Sequence, residues 1–197
     1  MSIIVEHEKR RMEILVKTLD VFIDEGYENV TFQKIADRCK ITRTTLYIYF
    51  KNKKEIFNYS IKTLLTKASD EIQSICSDEA LGSIEKIQKI IQNIFSLLEE
   101  NRRLLSVTLN YLLYLSKSKS NVEHRLLRRT VKLRHIMASL VIQGVKSGEI
   151  KNIKIKNLND FLLSFVDTAI YRLVVLQRKT VGELRNTANL MISQLAL

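Results

Sequence analysis

No proline interrupts this chain of 197 residues, and it holds only five glycines. Proline breaks a helix by lacking an N–H and clashing with the preceding turn; glycine does so through its conformational freedom. With so few breakers, and with apolar residues returning every three or four positions, the chain is expected to be all-α. From Lys9 to Glu25 the stripe is Met12, Leu15, Val16, Leu19, Phe22 and Ile23, and Gly26 supplies the left-handed stop. The eight residues before it are either frayed or a short extension of that helix. A second stripe, Ile84, Ile87, Ile90, Ile91, Ile94, Phe95 and Leu98, runs to about Glu100.

Thr31 to Glu55 reads differently. Thr31 can cap a short helix, since its hydroxyl accepts from a free N–H of the opening turn. Phe32, Ile35, Ala36 and Cys39 then make a narrow apolar face. Lys40-Ile41 is a turn, Thr42 is the next cap, and Leu46 and Phe50 continue the buried side. The second helix keeps Arg43, Thr44, Thr45, Tyr47 and Tyr49 on its other face. Between Lys34 and Lys54 the bases Lys34, Arg38, Lys40, Arg43, Lys51, Lys53 and Lys54 stand against one acid, Asp37. Two short helices with one such face suit a helix-turn-helix, in which the first helix braces and the second enters the major groove. The small core of this three-helix head is predicted as Leu15, Leu19, Phe22, Val30, Ile35, Ala36, Leu46 and Phe50. A formal charge of +11 also points to a polyanion, with nucleic acid ahead of membrane.

The run from Ile35 through Thr42-Arg43-Thr44-Thr45-Leu46-Tyr47-Ile48-Tyr49-Phe50-Lys51-Asn52-Lys53-Lys54-Glu55 closely resembles the helix-turn-helix signature of the TetR/AcrR-type transcriptional regulators. Phe22 to Tyr27 and Val30-Thr31 look like that family's first helix and its exit, so the resemblance covers roughly the first quarter of the chain. One position departs: Lys40 stands where the family usually has glycine, and a non-glycine residue at positive φ costs about 1 kcal/mol. The resemblance implies a DNA-binding domain over residues 1–52 and a helical ligand-binding and dimerisation domain over 53–197. It implies that Thr31, Thr42, Tyr47, Tyr49 and Lys53 grip phosphates while Arg43, Thr44 and Thr45 reach base edges.

The next helix should begin at Asn52, with Glu55 three residues on as in a capping box, and run through Ile56, Phe57, Ile61, Leu64, Leu65, Ala68, Ile72 and Ile75. Ser77 to Ser83 breaks it. After the second stripe, Asn101-Arg102 is a break and Leu104 to Ser116 a denser helix, followed by a polar loop over Ser116 to Asn121. A long helix runs from Val122 to Ser147, ending at Gly148. Its basic first half (Arg125, Arg128, Arg129, Lys132, Arg134) reads as a solvated face ahead of a second DNA patch. Glu149 to Asn157 is a connector, and Leu158 to Leu176 is the most apolar helix of the chain. Val181 to Leu195 closes it, with Leu184, Ala188, Met191, Ile192 and Leu195 in line. Two apolar helices at the end invite pairing with the same two of a second copy, as the family resemblance also implies.

The expected function is therefore a sequence-specific transcriptional regulator acting as a homodimer on an inverted repeat, with repression as the family default. The resemblance implies release by a small apolar or amphipathic effector. Polar residues on otherwise apolar helices are the candidates for its wall: Asn110, Tyr111, Tyr114, Gln143 and Asp167. Asp167 stands out as an acid in an apolar run, read first as a paired acid at the dimer interface. The alternative is a DNA-bound nucleoid scaffold or protein-recruiting factor with no inducer. No Gly-rich phosphate loop, nucleophile elbow or triad supports an enzyme, and no cofactor is expected. Cys39 and Cys76 match no zinc spacing. His124 and His135, three turns apart on one helix, cannot close on one metal. No apolar run is long enough to span a bilayer, so the expected setting is cytoplasmic and nucleoid-associated.

Overall fold

Three helices of this chain open on side-chain caps, at Thr31, Thr42 and Asn52. The computed structural model describes residues 2–117 and 122–197, and these form α1 (Ser2–Asn29), α2 (Phe32–Cys39), α3 (Arg43–Tyr49), α4 (Lys53–Ser77), α5 (Ser83–Glu100), α6 (Arg102–Lys117), α7 (Val122–Lys146), α8 (Ile155–Val174) and α9 (Gly182–Ser193). Most of the polar loop expected over Ser116 to Asn121 lies outside the described residues, as do the side chains of Tyr114, His124, Arg125, Arg128 and Arg129. Two compact units result, Met1–Lys67 with Ser106–Leu113, and Ala68–Leu105 with Tyr114–Leu197.

In the first unit α1 begins at Ser2, so the opening residues extend the first helix. Gly26, at φ 75° and ψ 156°, interrupts it before a last turn ending at Asn29. The buried stripe of α1 is rotated from the expected one. Ile14, Leu15, Thr18, Val21 and Phe22 are buried, whereas Val16 is 62% exposed and Met12 41%, and Leu19 is half-buried. Thr18 enters the stripe because its hydroxyl donates to the Ile14 carbonyl at 2.7 Å, which satisfies the polar group inside the core. The other predicted head residues, Val30, Ile35, Ala36, Leu46 and Phe50, are buried. Cys39 is a small core residue beside Thr18 and the Ile14 carbonyl, each 3.9 Å from its sulfur. Burial pushes its thiol above the usual cysteine range. An aromatic cluster completes this core: Phe22 meets Phe57 edge-on at 4.8 Å, and Tyr111 of α6 sits 4.1 Å from Tyr27 and 5.0 Å from Phe57.

The second unit is built around α5. Ile87, Ile90, Ile91 and Phe95 are fully buried, and α5 packs on α7, α8 and α9. Its N-cap, Gly82, has no side chain to offer the opening N–H groups. Glu149 supplies the acceptor from a distant loop, taking the Ser83 N–H at 2.6 Å and the Ile84 N–H at 2.8 Å. A Cβ at Gly82 would lie 2.6 Å from that carboxylate, so the glycine and the cap require each other. α9 is tied to α5 by polar groups. Arg185 donates to Gln92 Oε1 at 2.8 Å and to Glu99 at 2.9 Å, Gln92 donates to Asn189 at 2.6 Å, and Gln88 to Ser193 at 2.9 Å. α8 starts at Ile155, three residues before the expected Leu158, and Met191, expected on the inner stripe of α9, is 42% exposed.

Gly144 of α7 gives the sharpest packing test. A Cβ there would fall 2.5 Å from Ile150 Cδ1, 2.7 Å from Ile150 Cγ1 and 2.9 Å from Ser83 Cβ. Overpacking costs about 1–3 kcal/mol, and the gain in helix propensity of alanine over glycine returns about 1 kcal/mol. Gly144→Ala is expected to lower the thermal midpoint by a few degrees (roughly 2–4 °C per kcal/mol for this length), measured by circular dichroism. An unchanged or raised midpoint would mean that Ile150 moves aside freely.

Candidate nucleic-acid interface

α2 is opened by Thr31, whose Oγ1 accepts from the Lys34 N–H at 3.3 Å. It is closed by Lys40 in the left-handed conformation, φ 56° and ψ 45°. The Ile41 N–H reaches the Ala36 carbonyl at 3.0 Å and the Lys40 N–H that of Asp37 at 3.1 Å, the paired bonds of a Schellman closure. Lys40 therefore takes the backbone that glycine would, and these two hydrogen bonds offset its steric cost. α3 follows after one further cap. Thr42 Oγ1 accepts from the Thr45 N–H at 3.1 Å and lies 2.8 Å from the Thr45 hydroxyl. Only Leu46 of α3 is buried.

The eight residues expected to touch DNA fall into three groups. Thr31, Thr42, Arg43 and Thr44 are exposed, and Tyr47 is 52% exposed with its ring stacked on Phe32 at 4.6 Å. Thr45 is half-buried, its hydroxyl engaged with Thr42, and half-buried Tyr49 stacks on His7 at 4.6 Å. Lys53 differs from the expectation. Its ammonium donates to the carbonyls of Val30 and Glu28, each at 2.9 Å, and of Tyr27 at 3.0 Å. An ammonium has three N–H groups, so none is left for a phosphate. Burial pulls its pKa below the ordinary lysine value, against the opposing pull of Glu28. The sequence showed a lysine near a helix start; the carbonyls that hold it come from more than twenty residues away.

The positive charge is also partitioned. Lys34 pairs with Glu25, and Arg38 with Asp24 at 3.4 Å, so two cations of α2 are spent on acids of α1. Arg43, Lys40, Lys51 and Lys54 are exposed and have no ion-pair partner among the described residues. Arg11 is a further brace missed by sequence reasoning. Its guanidinium lies 4.1 Å over the Tyr59 ring and 5.2 Å over Phe50, and reaches Glu55 at 3.8 Å. Asn52 caps α4 by accepting the Glu55 N–H at 2.9 Å, while the Glu55 carboxylate accepts from Lys51 N–H at 2.7 Å.

Of the residues expected in an effector wall, Tyr114 has its side chain outside the described residues. Asn110, Gln143 and Asp167 are exposed in the single chain, and the apolar run around Asp167 is one face of α8. Tyr111 belongs to the aromatic core of the first unit.

Lys53→Met would strand those carbonyls and is expected to cost about 1–3 kcal/mol, read by urea unfolding. The slope of log affinity for duplex DNA against log salt should stay as in the native protein. Lys51→Ala or Lys54→Ala should instead flatten it by about 0.9 for each phosphate no longer neutralised. A flattened slope for Lys53→Met with unchanged stability would return Lys53 to the phosphates.

Residues 14–59 match the family described as "Bacterial regulatory proteins, tetR family". The chain is similar to the "Fatty acid metabolism regulator protein" of Bacillus subtilis, 29% identical over 142 residues, which cover 71% of this chain and 70% of the relative. Its fold is that of a TetR transcription regulator from Haloarcula marismortui, with a TM-score of 0.76 at 21% identity over 96% of this chain and 97% of that one. It is likewise that of the transcriptional regulator FadR of Bacillus subtilis, solved in complex with stearoyl-CoA, with a TM-score of 0.70 at 24% identity over 92% and 97%. With a braced reading helix, a matching head and a similar fold along nearly the whole chain, this protein is a DNA-binding transcriptional regulator of the TetR family.

Proposed function

We propose that the protein is a homodimeric repressor that binds an inverted-repeat operator and leaves it on binding a long-chain acyl thioester of coenzyme A. In this reading residues 1–52 are the DNA-binding domain and 53–197 the ligand-binding and dimerisation domain. The observation that carries it is the state of α3: its backbone caps and Leu46 are satisfied inside the head, while Arg43, Thr44 and Tyr47 are left to solvent. Arg43 suits the paired acceptors of guanine, and Thr44 a base edge beside it. Thr31, Thr42, Tyr47 and Tyr49 hold phosphates.

The effector class is supported by the likeness to the Bacillus fatty acid metabolism regulator and to the FadR structure with stearoyl-CoA. An acyl-CoA is amphipathic, and its apolar tail suits the stripes of α5, α7 and α8. α4 supplies residues to both units, and its first turn is held by Lys53 and Arg11. A ligand that favours one position of α4 by differential affinity would thereby carry the head with it.

The dimer is supported by the outward sides of the last two helices. Tyr171 of α8 is 52% exposed, Val175 and Leu176 just past its end are 61% and 48% exposed, and Leu190 and Met191 of α9 are 61% and 42% exposed. Such a set, on helices whose other side is packed, suits an isologous four-helix interface. No described helix is long and apolar enough to cross a membrane.

Two experiments test this. Native protein should shift intergenic DNA upstream of its own coding region against excess competitor. Arg43→Ala/Thr44→Ala should lose about 1–3 kcal/mol at each half-site. Stearoyl-CoA should release the native complex while coenzyme A and free stearate do not. Weak binding at many unrelated fragments, unmoved by acyl-CoA, would favour the scaffold reading. Separately, Leu190→Glu should convert a dimer to a monomer in sedimentation at micromolar protein without lowering helix content. A native monomer, or a Leu190→Glu dimer, would remove α9 from the interface.

A further inference from the structure

Ile48 is an apolar side chain in an unexpected place. It is 67% exposed on α3, and neither core burial nor helix propensity accounts for it, since a β-branched residue slightly disfavours a helix. Single exposed apolar residues are ordinary on a protein surface. This one, however, lies four positions after Thr44 on the same face of a seven-residue reading helix. Its neighbour Tyr47 is fixed by the stack on Phe32 at 4.6 Å, so Ile48 stands on a rigid platform. The exposed cations Arg43, Lys51 and Lys54 flank it in sequence, and they call for a polyanion rather than an apolar protein surface. On the base edges of the major groove the apolar feature is the 5-methyl group of thymine.

We propose that Ile48 is a specificity-determining residue: it packs on a thymine 5-methyl group in each half-site, next to the base edges reached by Arg43 and Thr44. This rests on the DNA-reading assignment of α3. The contact needs no hydrogen bond, so it is read out by one methyl group alone, and replacing thymine by deoxyuridine removes that group while leaving base pairing intact.

The test uses the full chain. Duplexes are first selected from a random-sequence library by native protein. Each thymine of the selected site is then replaced singly by deoxyuridine, and affinities are measured for native protein, Ile48→Ala and Arg43→Ala. The expected result is one thymine per half-site whose replacement weakens native binding about three- to fivefold, the worth of one buried methyl group. For Ile48→Ala the same replacement should have no effect, whereas Arg43→Ala should keep it. Because Ile48 is exposed, its truncation is expected to leave the thermal midpoint unchanged. A native protein indifferent to every thymine methyl overturns the contact, as does a penalty equal in native and Ile48→Ala. If selection enriches no duplex, the DNA-reading assignment of α3 fails first, and the Ile48 contact with it. The two failures are therefore distinguishable.

Discussion

The head of this protein turns on one ammonium group. α1 ends at Asn29 and α2 begins at Phe32, so the chain between them must turn sharply while leaving several carbonyls without helical partners. Lys53 fills that gap, its three N–H groups meeting the carbonyls of Tyr27, Glu28 and Val30. The same lysine is the first residue of α4. One side chain thus satisfies the end of α1, fixes the residue just before the Thr31 cap of α2, and anchors the start of α4. Arg11 does the complementary work further along, its cation resting on Tyr59 and Phe50 and reaching Glu55. A cation held among carbonyls and ring faces is partly desolvated, which is why Lys53 loses its proton more readily than a free lysine. The cost of that desolvation is tolerated because every N–H finds an acceptor.

This arrangement changes how the basic character of the segment should be understood. Counted along the chain, the residues from Lys34 to Lys54 look like a continuous cationic patch. In three dimensions Lys34 and Arg38 neutralise acids of α1, and Lys53 is consumed by backbone. The exposed remainder, Lys40, Arg43, Lys51 and Lys54, begins at the helix-turn-helix turn and runs through the start of α4. Lys53 ties the end of α1 to the start of α4, whereas the exposed cations without an acid beside them are the ones available to a polyanion. The two jobs fall to different residues, so each can be altered without the other.

What the sequence made legible was whatever depends on near neighbours. The Thr31 and Thr42 caps, the Gly26 interruption and the α5 stripe from Ile84 to Leu98 are settled within one or two turns of chain. What it hid depends on partners far away. Thr18 reads as polar until its side chain is found inside the core, donating to the Ile14 carbonyl one turn back and lying 3.9 Å from the Cys39 sulfur of α2, which places it in the buried stripe of α1. Gly82 reads as a simple breaker until Glu149 arrives from sixty-odd residues away to cap α5. Asp167 reads as a buried acid only if the apolar run of α8 is assumed to be buried all round, and it is not. Tyr111 reads as part of a ligand wall because its helix is apolar, yet it packs on Tyr27 and Phe57. For Gly82 and Tyr111 the local chemistry was legible and the distant partner was not; for Asp167 what was hidden was which side of α8 is packed.

The last two helices show the same division between groups that hold the fold and groups that are left over. α9 could be glued to α5 by apolar contact alone, but it is also registered by Gln88, Gln92, Glu99, Arg185, Asn189 and Ser193, whose hydrogen bonds have fixed directions. Apolar packing tolerates rotation and sliding; a ladder of directed polar contacts does not. With α9 locked in register on one side, the positions of Leu190 and Met191 on its other side are set as well. A surface meant to meet its own copy needs that fixity more than it needs extra area, because a self-complementary contact succeeds only if both patches present the same residues at the same spacing. The polar ties inside the unit are therefore what would make an apolar interface outside it specific.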